Sequence, residues 1–372
     1  MAQQGTMRCV KLVELAPSPL QYIEDHPMPS LPKEGAIVKV SYCGVCHSDV
    51  HLWHESPVLP VILGHEMTGT VHAIGDSAEN AEGLSIGDDV LVYPWIGCEE
   101  CKFCCAGRTD LCQRDWDPDT TIEMGCSRDG GYAEYVAVPK VKYLVPLPES
   151  IPKESAGMLA CGMLTAFNVV RTAIKYIDEI MPITGNCGIL VIGGGGLGLS
   201  AIKLFKYLVK TKYEKECQLL CADIAEDKLS LALEFGCDDV VHWPIGDSPE
   251  ELTKKTMSSF PEGGPRIVLD FVGRKQTFTV AYKSILKHGK LINIGLHGDT
   301  AEIPLFDATM KSFGMQCVYA GTIQQMKELV NIFAEGKVTP LPYTVHDLED
   351  AVDLISKLEA GKIEGRAILK LE

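Results

Sequence analysis

The chain has 372 residues, 46% hydrophobic and 23% charged, enough apolar material for two or three domains with sizeable cores. A net charge of −16 argues against a nucleic-acid-binding surface and against attachment to acidic lipid. The longest uncharged stretch, Ile180 to Ile202, holds 23 residues, but Pro182, Asn186 and seven glycines interrupt it, six of those glycines within Cys187 to Ile202. A membrane span needs roughly 20 apolar residues, so none is expected. The opening residues, MAQQGTMRCV, lack the basic start and apolar core of a signal peptide. The 15 cysteines are therefore expected as thiols in a cytoplasmic protein, with metal binding as their first use.

The first 150 residues are rich in Gly, Pro and short β-branched runs, such as Ala36 to Ser41, Gly69 to Ala73, Asp89 to Tyr93 and Tyr132 to Val138. Short strands with closely spaced turn signals predict a β-rich, barrel-like domain. Within it, residues 43–66 (CGVCHSDVHLWHESPVLPVILGHE) gather thiols, imidazoles and acids in 24 residues. Cys46 and His65, 19 positions apart, are candidate metal ligands. Thiolate and imidazole suit zinc, and a catalytic zinc takes three protein ligands and keeps one position open. Asp49 and Glu66 flank the two ligands and are expected to orient imidazole and tune charge.

Further on, Cys98, Cys101, Cys104 and Cys112 are separated by two, two and seven residues. Four thiolates this close can enclose one tetrahedral ion with no open position, which marks a structural site. Zinc and an iron–sulfur cluster share this donor set. Cys105 is left over, because a closed site has no room for a fifth sulfur. Trp53, Trp95 and Trp116 lie near the two metal motifs and are candidate pocket walls, with core packing as the alternative.

After Pro148 the pattern changes. Ser155 to Thr172 reads as one helix, and from Gly188 onward apolar runs alternate with amphipathic helices. Strands are predicted at Gly188–Ile192, Leu219–Ala222, Ile267–Phe271 and Leu291–Ile294, with helices at Leu197–Val209, Asp227–Phe235 and Phe278–Leu286. That alternation implies an α/β domain with a doubly wound parallel sheet. Gly193-Gly194-Gly195-Gly196-Leu197-Gly198 matches G-x-G-x-x-G between a strand and a helix, the context a dinucleotide fingerprint demands. Asp223, 25 residues past Gly198, closes the second strand with no basic residue in Ile224-Ala225-Glu226. A carboxylate there accepts from ribose hydroxyls and repels a 2′-phosphate, so NAD is favoured over NADP.

Taken by itself, Cys161 among Ala160, Met163 and Leu164 reads as a core cysteine. These motifs together, from about Met7 to the C-terminus, resemble the zinc-dependent alcohol dehydrogenases of the medium-chain dehydrogenase/reductase superfamily. The resemblance implies a GroES-like catalytic domain over residues 1–163, completed by 316–372, and a Rossmann NAD-binding domain over 164–315. It implies Cys161 as third ligand of a catalytic zinc and two zinc ions per subunit. It also implies a proton relay through Ser48 and His51, and contacts to the cofactor from His47, Thr165, Lys228 and Arg366. The implied reaction is reversible hydride transfer between a primary or secondary alcohol and nicotinamide, in a homodimer or homotetramer. A sorbitol-type polyol dehydrogenase is the neighbouring alternative, disfavoured by Cys161 and His47. Reduction of a conjugated C=C bond, or a non-catalytic NAD-binding role, fits less well with ligands and relay both retained.

Overall fold

The computed structural model describes residues 5–114, 122–213, 216–298, 300–363 and 365–372. The chain divides into two compact units, Met1–Leu164 with Ala320–Glu372, and Thr165–Tyr319.

The first unit is built on the strand Ala36–Val45, whose run AIVKVSYCGV is buried at nearly every position. It pairs antiparallel with Glu66–Ile74 on one side and with Arg366–Lys370 on the other. A seven-stranded sheet extends outward through Asp89–Val92 and Leu144–Pro146 at one end and Tyr343–Asp347 at the other, and Tyr135–Val138 also pairs with the central strand. A three-stranded sheet joins Gln21–Pro27, Thr6–Leu12 and Val61–Ile62.

Register decides what meets at the sheet edge. Gly44 lies opposite Glu66, and Val45 lies opposite Ala367. Cys46, one residue beyond the central strand, is thereby carried to the start of Glu66–Ile74 and of Arg366–Lys370. Antiparallel pairing thus gathers residues from three distant parts of the chain.

Two expectations for this unit are corrected. The strand expected from Tyr132 begins only at Tyr135; before it, Ala133 forms an isolated bridge with Cys9, and Gly131 and Tyr132 bond to the Leu63–Gly64 turn instead of to the central strand. The single helix expected over Ser155–Thr172 is broken: Lys153–Ala156 is α-helical, Gly157–Ala160 is a 3₁₀ turn, and a long helix restarts over Gly162–Thr184. The two arms are bent by 49°. Cys161 sits at the break with φ −130° and ψ −82°, outside helical geometry. Periodicity could not reveal this, because apolar residues face the core on both sides of the break.

The second unit carries six parallel strands in the order Asp239–His242, Cys217–Asp223, Cys187–Ile192, Ile267–Asp270, Lys290–Asn293, Gly314–Cys317. The chain starts in the middle, moves to one edge, then returns and builds to the other. Such an order leaves a crevice beyond the carboxyl ends of the two central strands, where ligands bind. Leu190, Ile192, Leu220, Val268 and Leu291 from the sheet pack with Trp243, Phe260 and Phe278 in one core. Because Gly314–Cys317 extends this sheet, the chain leaves the unit only after Tyr319. Among the described residues no single helix is long and apolar enough to cross a membrane.

Candidate active site

Cys46 caps the helix His47–Glu55, and Asp49, at its third position, accepts the Cys46 backbone N–H through Oδ2 at 2.9 Å. A residue that closes the helix is thereby also fixed beside His65, whose Nδ1 lies 3.3 Å from Asp49 Oδ1. Both side chains are fully buried. The turn before His65 requires Gly64: its φ is +90°, and a Cβ there would lie 2.4 Å from the Tyr132 ring.

The ligand atoms of Cys46, His65, Glu66 and Cys161 all lie within 4.8 Å of one another and every one of the four residues is buried. The two sulfurs are 3.8 Å apart. The Cys161 thiol, followed by the His65 imidazole, stabilises charge on Cys46 and keeps its pKa well below the thiol range. Burial pushes the Glu66 carboxyl up in spite of the opposing pull of Arg366.

This donor set fits a zinc ion. His65 Nε2 and Glu66 Oε1 are buried and have no hydrogen-bond partner. Leaving such an atom unsatisfied costs about 1–3 kcal/mol, more for a charged group. A cation among two sulfurs, a nitrogen and a carboxylate oxygen removes that penalty, and the S, S, N set is one zinc favours. Glu66 also pairs with Arg366, the first residue of the strand Arg366–Lys370, which is itself 8% exposed. Arg366 was expected at the cofactor phosphates; its Nη2 is directed to Glu66.

Around this centre, the Ser48 hydroxyl lies 3.7 Å from the Cys46 sulfur. His51 is on the same helix three residues on, so Ser48 and His51 share a face, and the His51 ring is exposed. The rings of His47 and His51 are 6.0 Å apart, centroid to centroid. Trp95 borders the site, with its ring 5.4 Å from that of His65 and its N–H donating to the Ala160 carbonyl at 2.9 Å. Trp53 is buried and donates to the Ser18 carbonyl at 2.7 Å, tying its helix to the N-terminal segment. Trp116 lies outside the described residues. Sequence reasoning missed Tyr132, whose hydroxyl donates to Asp49 Oδ2 at 2.9 Å, and it missed the partnership of Arg366 with Glu66.

The sulfurs of Cys98, Cys101, Cys104 and Cys112 form a second cluster of the same compactness. Backbone N–H groups point at these sulfurs: Cys98 donates to Cys112, Cys101 to Cys98, and Cys104 to Cys101, at 3.3–3.4 Å. N–H groups of Gln113 and Cys104 bring the Cys101 thiol down to about 6. Four sulfurs with no open corner suit a structural zinc. Gly97 is needed here, since a Cβ would fall 2.5 Å from the Cys104 sulfur. Cys105 is exposed, with its S–H directed to backbone carbonyls of Glu99 and Glu100.

In the second unit, the strand Cys187–Ile192 runs into Gly193 at φ +97°, and the helix Gly196–Leu208 opens with Gly195 as its cap. A Cβ at Gly198 would lie 1.8 Å from the Gly193 carbonyl oxygen, so only glycine permits this approach of helix to strand. A Cβ at Gly195 would meet nothing within 4 Å, which leaves open space at the helix N-terminus. Free N–H groups and the helix dipole favour an anion there, and the diphosphate of a dinucleotide fits. Asp223 accepts from the Gly194 N–H at 2.6 Å and the Ala225 N–H at 2.9 Å, which holds its carboxylate beside the turn. Lys228 is exposed, with its Cβ 3.2 Å from where a Cβ on Gly194 would stand. Thr165 is buried near the start of the helix Gly162–Thr184.

Comparison with known proteins accords with both sites. Residues 32–149 match the alcohol dehydrogenase GroES-like domain, and residues 196–335 match the zinc-binding dehydrogenase family. An NAD-dependent alcohol dehydrogenase of Saccharolobus solfataricus is 31% identical over 98% of this chain and 99% of its own length. Another from Sulfolobus acidocaldarius is 30% identical over 94% of this chain and 96% of its own. The crystal structure of the alcohol dehydrogenase from Aeropyrum pernix superposes with a TM-score of 0.82 at 28% identity, covering 98% of this chain and 99% of that one. The chain belongs to the zinc-dependent alcohol dehydrogenases of the medium-chain dehydrogenase/reductase superfamily.

Proposed function

We propose that this protein interconverts primary or secondary alcohols with the matching aldehydes or ketones, using NAD as hydride carrier. The observation that carries this reading is the buried convergence of Cys46, His65 and Cys161, with His65 Nε2 unpartnered. A zinc ion held by these three residues supplies a Lewis acid that acidifies a bound alcohol or polarises a bound carbonyl.

The chain's own residues do the rest. Asp49 orients His65 from behind and balances charge. The Ser48 hydroxyl, next to the Cys46 sulfur, accepts the substrate proton during oxidation and passes it outward. His51, exposed on the same helical face, delivers that proton to solvent. His47, Thr165 and Lys228 take the cofactor roles that the family resemblance implies, while Arg366 holds Glu66 beside the metal ligands. The turn Gly193 to Gly198 holds the diphosphate, and Asp223 accepts from the adenosine ribose hydroxyls and excludes a 2′-phosphate. Trp95 forms an apolar wall beside His65.

The protein acts in the cytoplasm as a homo-oligomer. Fifteen free cysteines support a reducing compartment. The edge strand Gly314–Cys317 and its neighbourhood support self-association: Leu305, Phe306, Met310 and Met315 are 43–82% exposed. Large apolar side chains beside an open strand edge favour a second subunit.

A panel of alcohols and aldehydes, assayed with NAD and with NADP by nicotinamide absorbance, tests the reading. NAD-linked turnover that a zinc chelator abolishes is expected. Turnover only on polyols would favour the sorbitol-type alternative, and no turnover on either class would refute the enzyme assignment.

A further inference from the structure

Asp49 can orient His65 only if Asp49 is itself held. One of its oxygens, Oδ2, receives two donors: the Cys46 N–H at 2.9 Å and the Tyr132 O–H at 2.9 Å. The other oxygen faces His65 Nδ1 at 3.3 Å. The backbone donor is dictated by the helix cap. The phenol is not dictated by packing, since phenylalanine would fill the same ring volume.

The segment around Tyr132 is fixed to the turn that presents His65. Its N–H donates to the Leu63 carbonyl at 3.0 Å, and the Gly131 N–H donates to the Gly64 carbonyl at 2.7 Å. Its own carbonyl accepts from the Val10 N–H at 2.8 Å. The ring lies against Gly64 so closely that no side chain is possible there. Tyr132 is fully buried, and its hydroxyl reaches the carboxylate of a residue 83 positions earlier. Neighbours of Asp49 thus include one adjustable donor, and it comes from the same hydrogen-bonded segment as the histidine it serves.

We propose that Tyr132 is a positioning residue of the catalytic metal site, its hydroxyl locking Asp49 in the rotamer that orients His65. The inference rests on the alcohol dehydrogenase reading and adds a residue to it. Groups outside the ligand set that hold a metal-binding histidine typically change metal affinity by about 10–100-fold when removed. Loss of the phenol acts one step further out, so the lower end is expected.

The test uses the zinc-loaded enzyme and Tyr132→Phe, which keeps the ring. Zinc release to a chelator is followed by metal analysis, and the visible spectrum is recorded after cobalt replaces zinc. Tyr132→Phe is expected to lose one of two metals about tenfold faster, to shift the cobalt bands, and to bind NAD as before. Asp49→Ala and the double variant complete the cycle: in the Asp49→Ala background, where the Tyr132 hydroxyl has lost its acceptor, Tyr132→Phe should add no further effect. Unchanged release and an unchanged cobalt spectrum, or an equal effect of Tyr132→Phe in both backgrounds, would overturn the proposal. If the parent enzyme itself holds no second metal needed for turnover, the alcohol dehydrogenase reading fails instead, whatever Tyr132 does.

Discussion

Arg366 and Glu66, 300 positions apart, form an ion pair in which the carboxylate is fully buried and the guanidinium nearly so. Two strands of one sheet, Glu66–Ile74 and Arg366–Lys370, flank the central strand and bring the pair together at its end. The C-terminal segment thereby contributes to a site otherwise made by residues 46–161.

Removing one partner of a buried pair leaves a charge without compensation. Arg366→Met is expected to lower unfolding free energy by about 3–5 kcal/mol, and adding Glu66→Gln should recover part of it. Denaturant unfolding of the three proteins at matched zinc content checks this. A loss below 1 kcal/mol for Arg366→Met would mean that the pair contributes little.

Two glycines of the nucleotide turn, Gly195 and Gly198, should separate stability from binding. At Gly198 a methyl group would meet the Gly193 carbonyl at 1.8 Å, so Gly198→Ala is expected to destabilise the protein by about 1–3 kcal/mol. At Gly195 a methyl group meets nothing within 4 Å, so Gly195→Ala should melt like the parent. It would instead occupy space assigned to the diphosphate and weaken NAD binding. Thermal melts with and without NAD distinguish the two variants.

Asp223 holds the turn by accepting from the Gly194 and Ala225 N–H groups, and in the proposed function it also accepts from the ribose hydroxyls. Asp223→Asn should raise the KM for NAD about tenfold, consistent with about 1.5–3 kcal/mol for a hydrogen bond to a charged group. Discrimination against NADP should narrow, while zinc content and kcat at saturating NAD stay close to the parent's. Initial rates with both cofactors, together with metal analysis, check each part.

Much of this site can be read in the sequence because its signals are local. Cys46 and His65 stand 19 positions apart at facing ends of two paired strands, and the four-cysteine spacing and the glycine turn are self-contained. Cys161 is different: an unmarked cysteine in an apolar run comes within 3.8 Å of the Cys46 sulfur at the residue where the helix breaks. Tyr132 and Arg366 were illegible as partners of Asp49 and Glu66, since register between distant segments sets those contacts. The helix Pro249–Ser258 was missed although Ser248 and Glu251 form a capping box there, a signal the sequence contains. The edge strand Gly314–Cys317 has no comparable signal: its residues are glycine, methionine, glutamine and cysteine, three of them exposed.

Ser48 and His51 are assigned the proton path. Ser48→Ala should lower kcat for alcohol oxidation by about 100-fold, the lower range for a positioned proton-transfer group. His51→Gln should cost less, because its ring is exposed and solvent buffer can stand in for it. Added imidazole should restore rate to His51→Gln and not to Ser48→Ala. Equal rescue of both would contradict the assigned order.

Metal content set against turnover is the most direct test of the central claim. The parent enzyme is expected to carry two zinc ions per chain. Cys46→Ala should carry one, retained by Cys98, Cys101, Cys104 and Cys112, and should no longer oxidise alcohols. A Cys46→Ala protein that still holds two zinc ions, or that holds one and keeps the parent's turnover, would contradict the account.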